Sequence, residues 1–335
     1  MRRSIPDVPF SDGDHYPCDL VALDAMLQFH GYATPLVIHD QWFLFYGRRD
    51  SGARRLHPRF FPLEATLSVW GIRAIHHHEP DGETAWCRVR ARIDEGHPVP
   101  VLADTYHLEA LYYPGWGNHT GHSIILCGYD DPGRTVDLVD PSPSKRHRGT
   151  HPLPGLMDAW GSNAIVPYTW MEFQPPDTPR ELGAKEAVLT VVRNVQLMAG
   201  QVPSPAGGHI GIAALLALEQ DLDGWSCLEP EDQRSRLMVL YEDLLPVVRE
   251  REGHAAYLRL AGGGLGIPDM AESGDHLRAL AQKWLVLRNL CLKARRRPLE
   301  PVMERLRMRL REIVELEERT LTHLKGWLGG PLNSD

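Results

Sequence analysis

The sequence lacks an apolar run long enough to span a bilayer, and residues 1–10 lack the apolar core of a secretion signal. It has only five cysteines, widely spaced and with no C-x-x-C pair, which argues against a disulfide framework or a thiolate metal site. The chain has 36 Lys and Arg residues and 44 Asp and Glu residues, a formal net charge of -8, which argues against a general nucleic-acid binder. We therefore expect a cytoplasmic protein whose partners include neither nucleic acid nor membrane.

The 335 residues are enough for two domains. Helix and strand patterns alternate in the first half, whereas helical periodicity dominates from Leu182 onwards. The proline-rich stretch 174–177 separates the two patterns. We predict an α+β domain with an antiparallel sheet over 1–177 and an all-helical domain over 178–335, with a flexible break between helices at 262–266.

One cysteine stands at the start of a predicted helix. Pro17 suits the first helical turn, because its missing N–H has no partner there. A thiol at Cys18 lies among free backbone N–H groups at the positive end of the helix dipole, and both favour the nucleophilic thiolate. Taken alone, Cys18 favours the simpler interpretation of a small buried residue. The remaining cysteines fall within helix or strand patterns and are predicted to be core residues: Cys87, Cys127, Cys227 and Cys291.

Two predicted strands supply partners for this thiol. The turn at 130–134 joins strands at 122–129 and 135–140. In an antiparallel hairpin centred near residue 131 or 132, His122 lies opposite Asp140 or one diagonal away, on the same face of the sheet. The carboxylate would fix the imidazole tautomer and leave the other ring nitrogen for Cys18. This arrangement predicts a Cys-His-Asp site for acyl transfer through a thioester.

The order Cys, His, Asp, with the cysteine at a helix start, resembles that of papain-like cysteine enzymes. The N-terminal half also resembles the N-terminal domain of the butirosin biosynthesis protein H family. The similar stretches are 18–23, 96–101, 104–106, 119–130 and 139–141. The C-terminal half is similar to the helical domain that often follows, through 208–219, 254–259 and 277–290.

The resemblance implies a papain-like (C39-type) cysteine-enzyme fold and a role in secondary-metabolite biosynthesis, including antibiotic pathways. It also implies an acyltransferase that takes an acyl or aminoacyl group from an acyl carrier protein and delivers it to a small-molecule amine. No resident cofactor is then expected, because phosphopantetheine arrives on the carrier protein. A homodimer is left open.

Two departures from the family pattern bear on the chemistry. C39-type peptidases place a glutamine before the nucleophile to help form the oxyanion hole, and 11–17 contain none. Asp14, His15 or the backbone N–H groups of Cys18 and Asp19 would have to replace it. Asp19 stands where the family tends to have histidine, and its negative charge opposes the thiolate. Both departures weaken a peptidase assignment more than an acyltransferase assignment, because a thioester is already activated.

Other polar and aromatic side chains lie near the predicted triad. Asp104 and Tyr106 could bind an acceptor amine or hydroxyl, or they could serve only in packing and capping. His119 could bind substrate or support His122, or it could be a solvated loop histidine. The substrate-binding candidates are His15, Asp19, Asp104, Tyr106, Tyr113, Trp116 and His119. No further ligands stand at motif spacing from His119 and His122 or from the histidines at 76–78, so we predict no bound metal.

The densest basic stretch admits two interpretations. It contains Arg48, Arg49, Arg54, Arg55 and Arg59. It could dock an acidic carrier protein, or it could be a solvated loop, which we favour slightly. For the whole chain, two alternatives to acyl transfer also stay open. One is a cysteine peptidase or thioesterase with the same triad, and the other is a non-catalytic binding protein of a biosynthetic assembly.

Overall fold

The computed structural model describes residues 1–13, 16–48, 54–111, 117–178, 180–205 and 207–329. The chain packs into two compact units. The sheet unit comprises Met1–Thr34 and Leu67–Arg180, and the helical unit comprises Pro35–Thr66 and Glu181–Asp335. Among the described residues, no helix has the length and apolar character needed to cross a membrane.

The secondary structure elements alternate in the first half of the chain and are mainly helices in the second. In chain order they are β1 (Arg2–Ser4), α1 (Cys18–Phe29), α2 (Thr34–Ile38), β2 (Phe45–Gly47), β3 (Arg55–His57), α3 (Leu63–Val69), β4 (Arg73–His78), α4 (Gly82–Asp94), β5 (Val99–Asp104), α5 (Thr105–Leu111), β6 (Gly121–Asp130), β7 (Thr135–Asp140), β8 (His147–Pro152), α6 (Leu153–Trp160), β9 (Thr169–Gln174), α7 (Ala184–Met198), β10 (Gly208–Ile210), α8 (Gly211–Trp225), α9 (Pro230–Leu265), α10 (Pro268–Lys293) and α11 (Leu299–Gly329).

The sheet unit is built on seven antiparallel strands, in the order β4-β9-β5-β6-β7-β8, with β1 also paired to β6. Strand β6 is central because its apolar run is buried on both faces. Val101 of β5 pairs with Ile124, and Val139 of β7 pairs with Ile125. The predicted α+β domain with an antiparallel sheet is confirmed. Strand β8 was not predicted, because its polar residues give only a weak apolar alternation.

Helix α1 packs against β6 within this unit. Its apolar residues from Val21 to Leu27 are buried, which accounts for the helical spacing read from the sequence. Pro17 precedes the helix in an extended conformation. The helix ends before Gly31, whose φ of +80° is the left-handed conformation that glycine adopts without strain.

The helical unit contains long helices, as predicted, and the break between α9 and α10 falls at Gly266 and Ile267, at the end of the predicted range 262–266. Helix α9 runs through to Leu265 and ends only at Gly266, whose φ is 68°. Gly262 of α9 and Gly274 of α10 allow these two helices to pack closely. A Cβ atom at Gly262 would come within 2.7 Å of the backbone nitrogen of Ala271, and one at Gly274 would come within 2.7 Å of the Ala255 carbonyl.

The division of the chain differs from a single boundary at residue 177, because Pro35–Thr66 packs within the helical unit. There β2 lies between β3 and β10 in a three-stranded antiparallel sheet, which adds strands to a unit expected to be all-helical. The Trp42 indole also donates to Glu317 at 2.7 Å. Trp42 and Glu317 lie 275 residues apart in sequence, so local patterns could not reveal this association.

Candidate functional site

Cys18 is the first residue of α1. The first intrahelical hydrogen bond joins the Val21 N–H to the Pro17 carbonyl, at 2.9 Å. The amides of Cys18 and Asp19 therefore lie at the free N-terminal end of the helix. The thiol is half-buried, and its Sγ lies 3.8 Å from the carbonyl oxygen of Gly121, the first residue of β6.

His122 and Asp140 meet on neighbouring strands, as the hairpin argument predicted. The pairing of Ile125 with Val139 places Asp140 one diagonal from His122. The imidazole Nε2 lies 2.9 Å from Asp140 Oδ2, with the imidazole 13% exposed and the carboxylate fully buried. Because an ionised carboxylate only accepts, Nε2 carries the proton and Nδ1 remains available to Cys18.

The protonation of the thiol and the imidazole is coupled. Burial lowers the pKa of the His122 imidazole, but hydrogen bonds with Asp140 and Cys18 outweigh burial and raise this pKa to about 9. Burial raises the pKa of the Cys18 thiol, but hydrogen bonds with His122 and Ser123 outweigh it and hold that pKa below its ordinary value. Both shifts favour a thiolate beside an imidazolium at neutral pH.

A second carboxylate–imidazole pair lies at the same end of the sheet. Asp104, the last residue of β5, pairs with Gly121, whose carbonyl faces Cys18. Its buried Oδ2 accepts from His119 Nδ1 at 2.7 Å and from Ser162 Oγ at 2.6 Å, while Oδ1 accepts from the Tyr106 amide at 3.1 Å. Burial raises the pKa of Asp104, but the bonds from Ser162 and His119 outweigh it and lower this pKa.

The remaining residues that the sequence predicted to bind substrate differ in exposure and in the contacts that they make. Asp19 is exposed, where water screens its charge, and the pKa of Cys18 is lowered despite it. The Tyr106 ring stacks on His119 with 4.5 Å between ring centroids. Three predicted substrate-binding residues lie outside the described part of the chain: His15, Tyr113 and Trp116.

The core prediction for the other cysteines was half wrong. Cys127 and Cys291 are buried, and burial raises their pKa to about 11 and about 12. Cys87 and Cys227 are exposed. Cys87 lies on an exposed side of α4, and Cys227 lies in the turn that follows α8, so neither is part of a buried helix face.

Three residues near the two carboxylates were not anticipated. Ser123 follows His122 directly and hydrogen-bonds Cys18 through backbone and side chain. His147 pairs with Asp140 across β7 and β8, and its Nε2 lies 2.8 Å from that of His151. Ser162 reaches Asp104 from 58 residues away. Of these three, only Ser123 could have been anticipated from the sequence, because it directly follows the predicted base His122.

Three arginines of the basic stretch form ion pairs within the helical unit. Arg54 pairs with Asp221 at 3.1 Å and Arg55 with Asp243 at 2.6 Å. Arg59 pairs with Glu250, also within that unit. Arg49 lies outside the described residues. These pairs give the stretch a structural role within the unit.

Metal-ligating side chains do not converge at the predicted triad in the part of the chain described. His119 and His122 hydrogen-bond separate carboxylates, those of Asp104 and Asp140. In the helical unit, three side chains bring ligand-type atoms within 4.8 Å of one another: Asp269, Glu272 and His323. Two of these three are exposed, and exposed acidic groups with this spacing are common without a metal.

A thiol, an imidazole and a carboxylate, placed on a helix start and two neighbouring antiparallel strands, define a cysteine–histidine–aspartate site in an α+β domain. Residues 18–141 match the model of the family described as Butirosin biosynthesis protein H, N-terminal. The matched segment contains Cys18, His122 and Asp140, and the match confirms the resemblance read from the sequence of this segment. No curated protein matches the chain.

Proposed function

We propose that the sheet unit is a papain-like acyltransferase of secondary-metabolite biosynthesis. It moves an acyl or aminoacyl group from a carrier-protein thioester to an amine. The observation that carries the proposal is the hydrogen-bonded set of Cys18, His122 and Asp140, with a lowered thiol pKa and a raised imidazole pKa. A thiolate beside an imidazolium is the activated form of a cysteine nucleophile.

Acylation begins with attack of the Cys18 thiolate on the thioester carbonyl. A bond forms between Sγ and the carbonyl carbon, and the carbonyl electron pair moves to oxygen. The amides of Cys18 and Asp19 stabilise this oxyanion, a contribution of about 10²–10³ in rate per donor. The intermediate then expels the phosphopantetheine thiolate, which takes the proton of His122.

Transfer to the acceptor regenerates the resting site. An amine attacks the acyl-enzyme, His122 takes a proton from its nitrogen, and the amide leaves as the Cys18 thiolate reforms. Asp140 holds the imidazole in the orientation that both steps need. The phosphopantetheine arm belongs to the carrier-protein substrate, and the domain supplies the nucleophile, the base and the oxyanion donors.

Two further observations support the setting of this reaction. The name of the matched family refers to the biosynthesis of butirosin, which favours a role in secondary-metabolite biosynthesis. The cysteines are free thiols, as expected for a protein that works in the reducing cytoplasm.

The product distinguishes transfer from hydrolysis, because the same triad can pass the acyl group to water. The experiment incubates the protein with acyl N-acetylcysteamine thioesters, which mimic the end of the phosphopantetheine arm, with and without a panel of primary amines. The proposal predicts amide as the main product when an amine is present. Free acid as the product at every amine concentration would instead establish a thioesterase, and no turnover above the protein-free control would favour a binding role.

A further inference from the structure

We propose that His119, held by Asp104, is a second base, which takes a proton from an ammonium acceptor before that acceptor attacks the acyl-enzyme. The inference rests on the proposed function and specifies its acceptor as an aliphatic primary amine. It also gives the Asp104–His119 pair a role distinct from that of the Cys18–His122–Asp140 triad.

An acceptor that arrives as ammonium must lose one proton before its nitrogen can attack. Acylation leaves His122 neutral, because its proton departs with the phosphopantetheine thiol. Attack by a neutral amine then returns one proton to His122 and restores the thiolate–imidazolium pair. An aliphatic amine, however, arrives as ammonium at neutral pH, since its pKa is about 10, like that of lysine. This acceptor carries one proton more than His122 can take.

The geometry of His119 suits the removal of that extra proton. Asp104 is fully buried and accepts from Nδ1 at 2.7 Å. The neutral imidazole therefore has its lone pair on Nε2, and the carboxylate stabilises the imidazolium that forms when Nε2 is protonated. The imidazole is half exposed, so it can meet an incoming acceptor and afterwards release the proton to solvent.

The position of this pair relative to the nucleophile is set by the strand pairing. Asp104 is paired with Gly121, and the Gly121 carbonyl lies 3.8 Å from Cys18 Sγ. His119 thus lies at the end of the sheet where the acyl group is held. The Tyr106 ring, stacked on the imidazole and 48% exposed, offers an aromatic face to which a cationic acceptor is attracted.

The carboxylate has the fixed partners expected of a group that orients a base. Ser162 Oγ donates to the same oxygen as His119, and the Tyr106 amide donates to the other. The neighbouring ionisable rings are those of Tyr106 and of His107, which lies 6.3 Å from His119 between ring centroids. Asp104 is the carboxylate that hydrogen-bonds the imidazole.

The test compares two amines on the full chain at pH 7. Wild type and His119→Ala are acylated at Cys18 with an acyl N-acetylcysteamine thioester, and decay of the acyl-enzyme is followed by intact mass. Aminoethanol, present as ammonium, should react about 10²-fold more slowly with the variant. Methoxyamine, already neutral at pH 7, should react within twofold of wild type, as should water. Added imidazole should restore the reaction with aminoethanol.

Two further variants separate a base from a structural residue. Asp104→Asn should show the same selective loss toward aminoethanol, and His107→Ala, which removes the neighbouring imidazole on α5, should match wild type. A loss shared equally by both amines, a slowed acylation step, or no loss would each overturn the role of His119. Absence of an acyl adduct even in wild type would instead overturn the proposed function, and this inference with it.

Discussion

The Nε2 atom of His122 lies 2.9 Å from Oδ2 of Asp140, on the neighbouring strand. The carboxylate is fully buried, so its charge acts on the imidazole with little screening from water. Together with the hydrogen bond to Cys18, this contact raises the pKa of His122 to about 9. The pair therefore sets the alkaline limit of the proposed reaction, because acylation needs the imidazolium proton.

Replacing Asp140 by asparagine should lower that limit. The neutral amide cannot stabilise the imidazolium, so the pKa of His122 should fall and the alkaline limb of the pH–rate profile should move down from about pH 9. The acylation rate at neutral pH should fall about 10²-fold or more. Rapid-quench acylation with a thioester, measured across pH, checks both effects.

The matched control is Asp137→Asn, which removes the same charge from β7. Asp137 lies an odd number of residues before Asp140 on the same strand, so its side chain points to the other face of the sheet. It accepts a hydrogen bond from Thr150 and not from His122. Its profile should match that of wild type. An alkaline limb that stays near pH 9 in Asp140→Asn would show that this carboxylate does not control His122.

Ser123 gives a milder test of thiol activation. Its side-chain hydrogen bond helps to lower the pKa of Cys18, so Ser123→Ala should raise that pKa while the backbone hydrogen bond and His122 remain. The pH midpoint of iodoacetamide alkylation at Cys18, followed by peptide mass spectrometry, should therefore move upward. Exposed Cys87 in the same samples is the internal reference. A midpoint that moves downward or stays in place would contradict the role of Ser123.

The approximate pairing of His122 with Asp140 was predictable, because an antiparallel hairpin relates its two strands by simple register. The sequence missed the irregularity between Leu126 and Gly128, which lies between the turn and His122 and shifts the register by one residue. This shift brings Asp140 to the face of the sheet that carries His122. Helix α1 was predictable because Pro17, its apolar spacing and Gly31 agree. Ser162 was not predictable, because its contact with Asp104 depends on the packing of a distant loop.

That Pro35–Thr66 belongs to the helical unit could not be predicted, for the same reason. The segment contains the densest basic stretch of the sequence, but nothing local to it indicates that its partners lie far along the chain. Arg59 pairs with Glu250, and Trp42 donates to Glu317. Local propensity specifies the elements of this unit but not the long-range polar contacts that join them.

The buried carboxylate of Glu317 should be critical to the stability of the helical unit. It accepts from Trp42 and Trp284 and pairs with Arg251, whose side chain is fully buried. Glu317→Leu leaves that guanidinium uncompensated and should lower the free energy of unfolding by about 3–5 kcal/mol. Urea unfolding followed by tryptophan fluorescence measures the change.

Glu318→Leu is the matched control on the same helix, because Glu318 is exposed. It should alter the free energy of unfolding by less than about 0.5 kcal/mol. Equal losses in the two variants would show that the Arg251–Glu317 pair does not stabilise the unit that contains Pro35–Thr66.

The most direct test of the account is intact mass after mixing the protein with a panel of acyl N-acetylcysteamine thioesters, with wild type beside Cys18→Ala. We expect an adduct of one acyl group on wild type and none on the variant, with the adduct mapped to the peptide that begins α1. Equal thioester consumption by both proteins without an adduct would contradict a covalent mechanism at Cys18.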